Sequence, residues 1–333
     1  MLMLEMMKGA RVLLEVCAGM KKGEKLLIVT DTMSPEVVSR ALYMAAREMD
    51  IAAHIITMPV PQTGGEPSAV VAAAMQAADV ILSPTTRTLF HTKATLDACN
   101  KGARLFSLTE CDEWILIRNG VEADFVAISP VVKALGKFFD EGREIHVTSP
   151  GGTDFKASIV GRGGIVNTCI CHEPGMRSGF PDIEANVPSI ETEGEGVIVI
   201  DASASMGIGL VDSPVKLFVE KGKVVKIEGG TSATQLRTIL EDAQDPNVYA
   251  IAEIAVGLNP FSPVCGKIIY DEGRYGTGHF AVGDNTRQGG VNKAPLHLDM
   301  VYWSPTFRVD GKLIVEDGKP VTGIACKALP GSR

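Results

Sequence analysis

Ionisable side chains interrupt four apolar segments in the second half of the chain. Burying an imidazole or a carboxylate costs several kcal/mol unless the group is hydrogen-bonded, paired or bound to a metal. We therefore expect each of these groups to have a compensating partner, and a metal ion is the candidate. The side chains are Glu184 in FPDIEANVP, Glu253 in YAIAEIAVGLNP, His279 in GTGHFAVGDN, and His297 with Asp299 in APLHLDMVYW.

His297 and Asp299 stand two residues apart in a segment typical of a buried strand. Successive side chains of a strand point to opposite faces, so these two share one face and Leu298, Met300 and Tyr302 cover the other. The segments of Glu184, Glu253 and His279 run into turn residues soon after the polar side chain. We expect these strand ends to line a pocket.

Three carboxylates and two imidazoles suffice for two divalent cations of the zinc, cobalt or manganese type, which accept mixed nitrogen and oxygen ligands. They also more than suffice for one iron held by two histidines and a carboxylate. A third interpretation is a non-catalytic binding protein whose five side chains form a satisfied hydrogen-bond network. The spacing leaves these alternatives open, because the ligands come from separate strands.

The first half of the chain alternates short apolar strands with helical patterns. Between residue 25 and about residue 145, the strands KLLIVTD, AAHIITM, DVILSPT and ARLFSLTE are separated by segments such as SPEVVSRALYMAARE. This alternation indicates βαβ units and a parallel sheet with covering helices. We predict a Rossmann-like α/β domain over residues 1–145. No GxGxxG follows its first strand, so dinucleotide binding is not expected.

The second half of the chain changes to hairpins. VKLFVEKGKVVKIEGG reads as two strands around Lys221-Gly222, and FRVDGKLIVEDGKPV turns at Asp310-Gly311 and again at Asp317-Gly318. One helical segment, TSATQLRTILEDA, interrupts them. We predict that residues 146–333 form an α+β domain with mainly antiparallel strands, and that this domain carries the metal site.

Composition limits the partners of the chain. Its 333 residues carry a net charge of −8 and no clustered Lys and Arg, which argues against nucleic acid. Charged residues interrupt the apolar N-terminal segment, unlike a signal peptide, and no run reaches the length of a transmembrane helix. The seven scattered cysteines indicate reduced thiols. We expect a soluble cytoplasmic protein that acts on a small molecule or a peptide and has no membrane partner.

The order of several segments resembles one enzyme family. IEANVP, GVIVID, AIAEIAVGLNP, DEGRYGTGHFAVGDN and HLDMVY follow one another as in the thermophilic-type metallo-aminopeptidases, also called aminopeptidase T or peptidase family M29. The resemblance covers most of the chain. It implies a dinuclear site of two glutamates, two histidines and an aspartate, at positions that match Glu184, Glu253, His279, His297 and Asp299. A related branch with the same architecture resembles the 2,5-dihydroxypyridine dioxygenases, which use one iron(II).

One departure from the aminopeptidases concerns a tyrosine. Those enzymes carry a catalytic tyrosine shortly after the histidine that corresponds to His279, and this chain reads GDNTRQGG there. Asn285 or Arg287 would then stabilise developing negative charge in its place. Glu253 or Glu184 would act as general base, and Glu272 would orient His279 by accepting its other ring proton.

The resemblance favours a metal-dependent hydrolase in which metal-activated water attacks a peptide or amide carbonyl. Its cofactor would be two divalent ions of zinc, cobalt or manganese. The alternative is a mononuclear iron(II) ring-cleaving dioxygenase of the 2,5-dihydroxypyridine 5,6-dioxygenase type. We also expect a homodimer, because the related peptidases are dimers and pairing would cover open sheet edges.

Overall fold

The computed structural model describes residues 2–60, 65–321 and 327–330, which form two compact units. The first unit comprises Met1–Val126 with Thr168–Asp182, and the second comprises Ala127–Asn167 with Ile183–Arg333. The division differs from the expected boundary after residue 145. The chain leaves the first unit earlier, and it returns because the strand Arg177–Gly179 pairs in parallel with the strand Arg104–Ser107.

The first unit is built on a parallel sheet, as its strand and helix alternation predicts. The sheet has five strands, and the strand nearest the N-terminus lies second in the order. The strands, across the sheet, are Ala52–Met58, Lys25–Asp31, Val80–Ser83, Arg104–Ser107 and Arg177–Gly179. The finer prediction, a Rossmann-like domain, stays a prediction.

Helices connect the strands of the first unit and are few in the second. The α-helices are Leu2–Arg11, Glu36–Glu48, Ala69–Met75, Lys93–Asn100, Phe125–Glu141, Thr231–Asp242 and Ile268–Asp271. Short π- or 3-10-helical turns cover Val12–Cys17, Glu113–Leu116, Pro246–Tyr249 and Thr286–Gln288. Within the described ranges, no helix has both the length and the apolar character needed to cross a membrane.

The second unit contains two antiparallel sheets, which confirms the mainly antiparallel α+β prediction at that level. The larger sheet has eight strands: Glu144–Thr148, Asp154–Ser158, Gly194–Ile200, Val215–Glu220, Lys223–Glu228, Thr306–Val309, Lys312–Glu316 and Lys319–Pro320. The smaller sheet has seven strands: Ile165–Asn167, Glu184–Val187, Ser203–Ala204, Gly209–Leu210, Ile251–Gly257, Thr277–Gly283 and His297–Trp303. The predicted hairpins at Lys221-Gly222, Asp310-Gly311 and Asp317-Gly318 are all present.

Aromatic rings join the two antiparallel sheets of the second unit. Phe155 of the larger sheet meets Phe280 of the smaller sheet edge to face, with ring centroids 5.5 Å apart. Phe280 stacks on Tyr302 at 5.2 Å. Leu298 and Met300 are buried beside Tyr302 in the same strand. This apolar face holds the strands in register, and side-chain alternation leaves the polar residues on the opposite face.

Among the described cysteines, Cys17, Cys99, Cys171 and Cys265 are free thiols, in agreement with the expectation of reduced thiols. Cys326 lies outside the described residues.

Candidate metal centre

The five selected side chains share one face of the seven-stranded sheet. Residues directly opposite each other on paired strands point to the same face. Four neighbouring strands carry the set, and their register brings its members together. Ala281 lies opposite both Glu253 and Asp299, Gly283 lies opposite His297, Ala255 lies opposite His279, and Gly257 lies opposite Glu184.

Glu253 lies between the two imidazoles. Its Oε1 is 3.5 Å from Nε2 of His279, and its Oε2 is 3.2 Å from Nε2 of His297. Glu184 approaches the first imidazole, with Oε2 3.5 Å from Nε2 of His279. Asp299 approaches the second, with Oδ1 3.1 Å from Nε2 of His297. The two ring nitrogens therefore face a shared group of carboxylate oxygens.

The cluster is withdrawn from solvent to different depths. Glu253 and His279 are only 3% and 1% exposed, and Glu184 is also buried. His297 and Asp299 are half-buried and lie where the site opens. Ionic groups at such depth need partners of opposite charge, and the carboxylates outnumber the imidazoles by three to two.

The buried charges strongly perturb the pKa values of their neighbours. Burial acts to raise the pKa of the Glu253 carboxyl, but hydrogen bonds and charge from His279 and His297 outweigh it and lower that pKa to about 2. Burial acts to lower the pKa of His279, but the charge of Glu184 and the contact with Glu253 raise it to about 9. Burial also opposes the shift at His297, where Asp299 and Glu253 raise the pKa well above its usual range.

Neighbouring groups fix the orientation of the cluster. Nδ1 of His297 donates a 2.7 Å hydrogen bond to the backbone carbonyl of Asp284, so its Nε2 faces the carboxylates. Nδ2 of Asn186 donates to Oε1 of Glu184 at 2.7 Å. The backbone N–H of Asp299 donates to Oγ of Ser205 at 3.0 Å. The first two contacts orient the side chains of His297 and Glu184 before any ion binds, and the third fixes the backbone at Asp299.

The donor set fits a divalent cation with mixed nitrogen and oxygen ligands. Ligand atoms of Glu184, Glu253 and His279 lie within 4.8 Å of one another, and so do those of Glu253, His297 and Asp299. A third group of the same size joins Glu272 to His279 and Asp299. Among the described residues, Nδ1 of His279 is buried without a hydrogen-bond partner. The predicted hydrogen bond from this nitrogen to Glu272 is therefore not formed.

Two residues selected from the sequence are not brought to the cluster. The amide of Asn285 donates to Oε1 of Glu191 at 2.9 Å and accepts from the backbone N–H of Asn292 at 2.9 Å, so both of its polar atoms have partners outside the cluster. Arg287 is exposed. Their expected role in stabilising negative charge has no geometric support, because the turn points neither group at the carboxylates.

Gln288 is the residue of this turn that reaches the cluster, and the sequence reasoning missed it. Its Nε2 donates to Oε2 of Glu253. Asn186 was also missed, although it stands two residues after Glu184 and therefore on the same strand face. That spacing was a usable signal for Asn186. Gln288 had none, because the path of a loop decides which of its side chains points inward.

A sequence model of the family described as 2,5-dihydroxypyridine 5,6-dioxygenase matches residues 5–322. A 2,5-dihydroxypyridine 5,6-dioxygenase from Pseudomonas putida is 28% identical over 265 residues, which cover 74% of this chain and 72% of the relative.

Two solved structures share the fold. The 2,5-dihydroxypyridine dioxygenase from Pseudomonas putida KT2440 superposes with a TM-score of 0.82 at 21% identity, covering 95% of this chain and 97% of the other. AmpT from Thermus thermophilus superposes with a TM-score of 0.73 at 15% identity, covering 96% and 99%. The similarity to M29 aminopeptidases is thus one of architecture.

These comparisons contradict the expected hydrolase. The family model and the Pseudomonas putida relative both name a ring dioxygenase, whereas the aminopeptidase shares only the fold. The prediction of a metallo-aminopeptidase-like hydrolase is therefore wrong, and its alternative is the better supported one. The error has a chemical cause, since the same two imidazoles and three carboxylates suit either reaction.

Proposed function

Because the chain belongs to the 2,5-dihydroxypyridine 5,6-dioxygenase family, we propose that it is a mononuclear iron(II) enzyme that opens the ring of a dihydroxypyridine or a similar aromatic diol with dioxygen. The observation that carries this proposal is the strand register, which places His279, His297 and Asp299 on one sheet face within a chain matched by that family over residues 5–322. Two histidines and a carboxylate are the ligand set of non-haem iron(II) oxygenases.

His279 and His297 would hold the iron through Nε2, and Asp299 through a carboxylate oxygen. Iron(II), when bound, supplies the centre at which a diol and dioxygen are brought together. The earlier expectation of two zinc, cobalt or manganese ions accompanied the hydrolase interpretation, and the proposal replaces it with one iron. Asp284 keeps a proton on Nδ1 of His297 through its carbonyl, which leaves Nε2 as the ligand atom.

Glu253 would serve as the base that accepts a proton from a ring hydroxyl. Its oxygens lie beside both imidazoles, so the carboxylate stands next to the side chains that would hold the iron. Gln288 donates to Oε2 of Glu253 and holds that oxygen in place. Glu184, oriented by Asn186, would stand beside His279 on the other side of the site. The buried position of Glu253 keeps competing water away from this proton transfer.

We also propose that the protein is a homodimer. The described strands Lys223–Glu228 and Lys319–Pro320 end the eight-stranded sheet, and Gly209–Leu210 and Ile165–Asn167 end the seven-stranded one. Such edges present backbone groups to which a second chain can pair.

Oxygen uptake tests the proposed reaction. Protein purified without oxygen and loaded with iron(II) should consume one dioxygen for each 2,5-dihydroxypyridine that loses its ring absorbance. The same preparation should leave leucine amide and short peptides intact. Hydrolysis of a peptide or amide without oxygen uptake would overturn the proposal, and so would oxygen uptake that does not depend on iron.

A further inference from the structure

The loop from Asp284 to Asn292 touches the metal centre at two points. Its Gln288 side chain donates to Oε2 of Glu253. Its Asp284 carbonyl accepts the 2.7 Å hydrogen bond from Nδ1 of His297. One candidate ligand and the proposed base therefore depend on where this loop lies.

Hydrogen bonds to Asn285 define the shape of the loop. The backbone carbonyl of Asn285 accepts from the N–H groups of Gln288 and Gly290, each at 3.0 Å, and Oδ1 of Asn285 accepts from the N–H of Asn292 at 2.9 Å. A Cβ at Gly290 would lie 2.1 Å from the Asn285 amide, so only glycine allows this closeness. The internal bonds give the loop a defined shape, but a separate contact must fix that shape to the sheet.

A buried ion pair makes that contact. Nη2 of Arg162 lies 2.5 Å from Oε2 of Glu191, and the two side chains are only 9% and 12% exposed. Oε1 of Glu191 accepts from Nδ2 of Asn285 at 2.9 Å and from the N–H of Val291 at 2.7 Å. Nη1 of Arg162 donates to the carbonyl of Gly289 at 2.7 Å. Both members of the pair are thus bonded to the loop that carries Gln288.

A second buried pair serves as a comparison. Arg104 and Glu24 lie 2.8 Å apart in the first unit, with side chains 5% and 23% exposed. Arg104 also donates to the carbonyl of His172. This pair has the same chemistry and similar burial, but Glu24, Arg104 and His172 belong to the first unit, whereas the metal centre belongs to the second.

We propose that the Arg162–Glu191 ion pair is a positioning device for the metal centre, which fixes the 284–292 loop so that Gln288 holds Glu253 in place. A buried ion pair is an expensive way to gain stability, because desolvation offsets its attraction, whereas it fixes geometry well. Catalysis responds steeply to geometry, and a shift of about 1 Å in a reacting group can cost about 100-fold in rate. The expected effect on kcat rests on the proposed function. The expected effect on the geometry of the metal centre does not.

The experiment compares Glu191→Gln with Glu24→Gln in the full-length protein. We expect Glu191→Gln to lower kcat by about 10- to 100-fold with a smaller change in KM. Glu24→Gln should leave kcat within about twofold of the unmodified protein, even if it lowers Tm as much as Glu191→Gln does. Adding Gln288→Ala to Glu191→Gln should produce little further loss, because both changes free the same carboxylate. If Glu191→Gln fails to fold, Arg162→Lys tests the same loop, because Arg162 donates to the carbonyl of Gly289.

A spectroscopic measurement separates this inference from the reaction itself. In cobalt(II)-loaded protein, the visible bands report the ligand geometry, and they should shift alike in Glu191→Gln and Gln288→Ala but not in Glu24→Gln. Such a shift in a protein without dioxygenase activity would sink the proposed function and leave the inference standing. An unshifted spectrum with unchanged kcat in Glu191→Gln would overturn the inference alone. Fully additive losses in the double variant would overturn it too.

Discussion

Glu253 contacts both imidazoles of the metal centre through different oxygens, and this single residue connects the two halves of the site. Its neighbours divide into side chains that would hold an ion and groups that orient them. Residue types and strand spacing were sufficient to select the five polar side chains, because their burial within apolar segments required compensation. The orienting contacts of Gln288 and Ser205 could not be selected, since each depends on a loop whose path the sequence does not specify.

Removal of one ligand tests the assignment at the residue scale. Asp299→Ala should lower iron affinity by at least about 100-fold, because Asp299 lies on the same strand as His297 and its carboxylate contacts Nε2 of that histidine.

His297→Ala should likewise lower iron affinity, and His146→Ala is its matched control. The two imidazoles have the same side-chain exposure of 28%, and each contacts an aspartate. Metal content by mass spectrometry measures both. Full iron occupancy in Asp299→Ala would remove it from the ligand set.

The pH dependence of metal binding follows from the raised histidine pKa values. His279, with a pKa of about 9, carries a proton at neutral pH in protein stripped of metal, whereas a ligand imidazole must be neutral. Binding therefore expels that proton, and affinity should rise with pH up to about 9, by about tenfold per pH unit for each proton released. Calorimetric titration in buffers of different ionisation enthalpy counts the protons. A pH-independent affinity between pH 6 and pH 8 would argue against both histidines as ligands.

Strands set the geometry of the site, and a glycine at the end of one strand sets the direction in which the chain enters the 284–292 loop. Gly283 ends the strand Thr277–Gly283 with a φ of +104°, opposite His297. The apolar character of these segments was sufficient to predict the strands, and the spacing of His297 and Asp299 was sufficient to predict that these two side chains share a face. The sequence pattern did not identify which side chains of the following turn point toward the cluster. Asn285 instead donates a hydrogen bond to Glu191, 94 residues away. A contact of that sequence separation leaves no local pattern.

Gly283→Ala tests the strand end at the element scale. A Cβ there would lie 2.2 Å from the carbonyl oxygen of Leu296, in addition to the strain of a left-handed backbone. Gly311→Ala carries only the strain, about 1 to 3 kcal/mol, since nothing lies within 4 Å of its Cβ. The free energy of unfolding, measured by urea denaturation, should fall further for Gly283→Ala. Equal losses in the two variants would show that the close approach is relieved elsewhere.

The described part of the molecule combines one parallel and two antiparallel sheets. Sequence periodicity predicted a parallel first half and a mainly antiparallel second half, but not the division of the second half into two sheets. It did not predict the return of Thr168–Asp182 to the first unit, because the strand Arg177–Gly179 has only three residues and no alternating pattern. The residue types of the site did not select the reaction, because one ligand set serves hydrolysis and oxygenation. The family model and the Pseudomonas putida relative favour oxygenation.

Assembly is tested at the scale of the whole molecule by light scattering. A homodimer should scatter with about twice the chain mass of 35.4 kDa, independent of concentration in the micromolar range. We expect this because the sheet edges of the second unit are open to pairing. A mass of one chain at every concentration would contradict the dimer without affecting the metal centre.

The origin of the oxygen atoms in the product tests the central claim most directly. The iron-loaded protein should be supplied with 2,5-dihydroxypyridine under ¹⁸O-labelled dioxygen in ordinary water, and the ring-opened product analysed at once by mass spectrometry. A dioxygenase places both labelled atoms in the product, and the label should disappear in His297→Ala. A product that takes its new oxygen from water would contradict the account and return the site to hydrolysis.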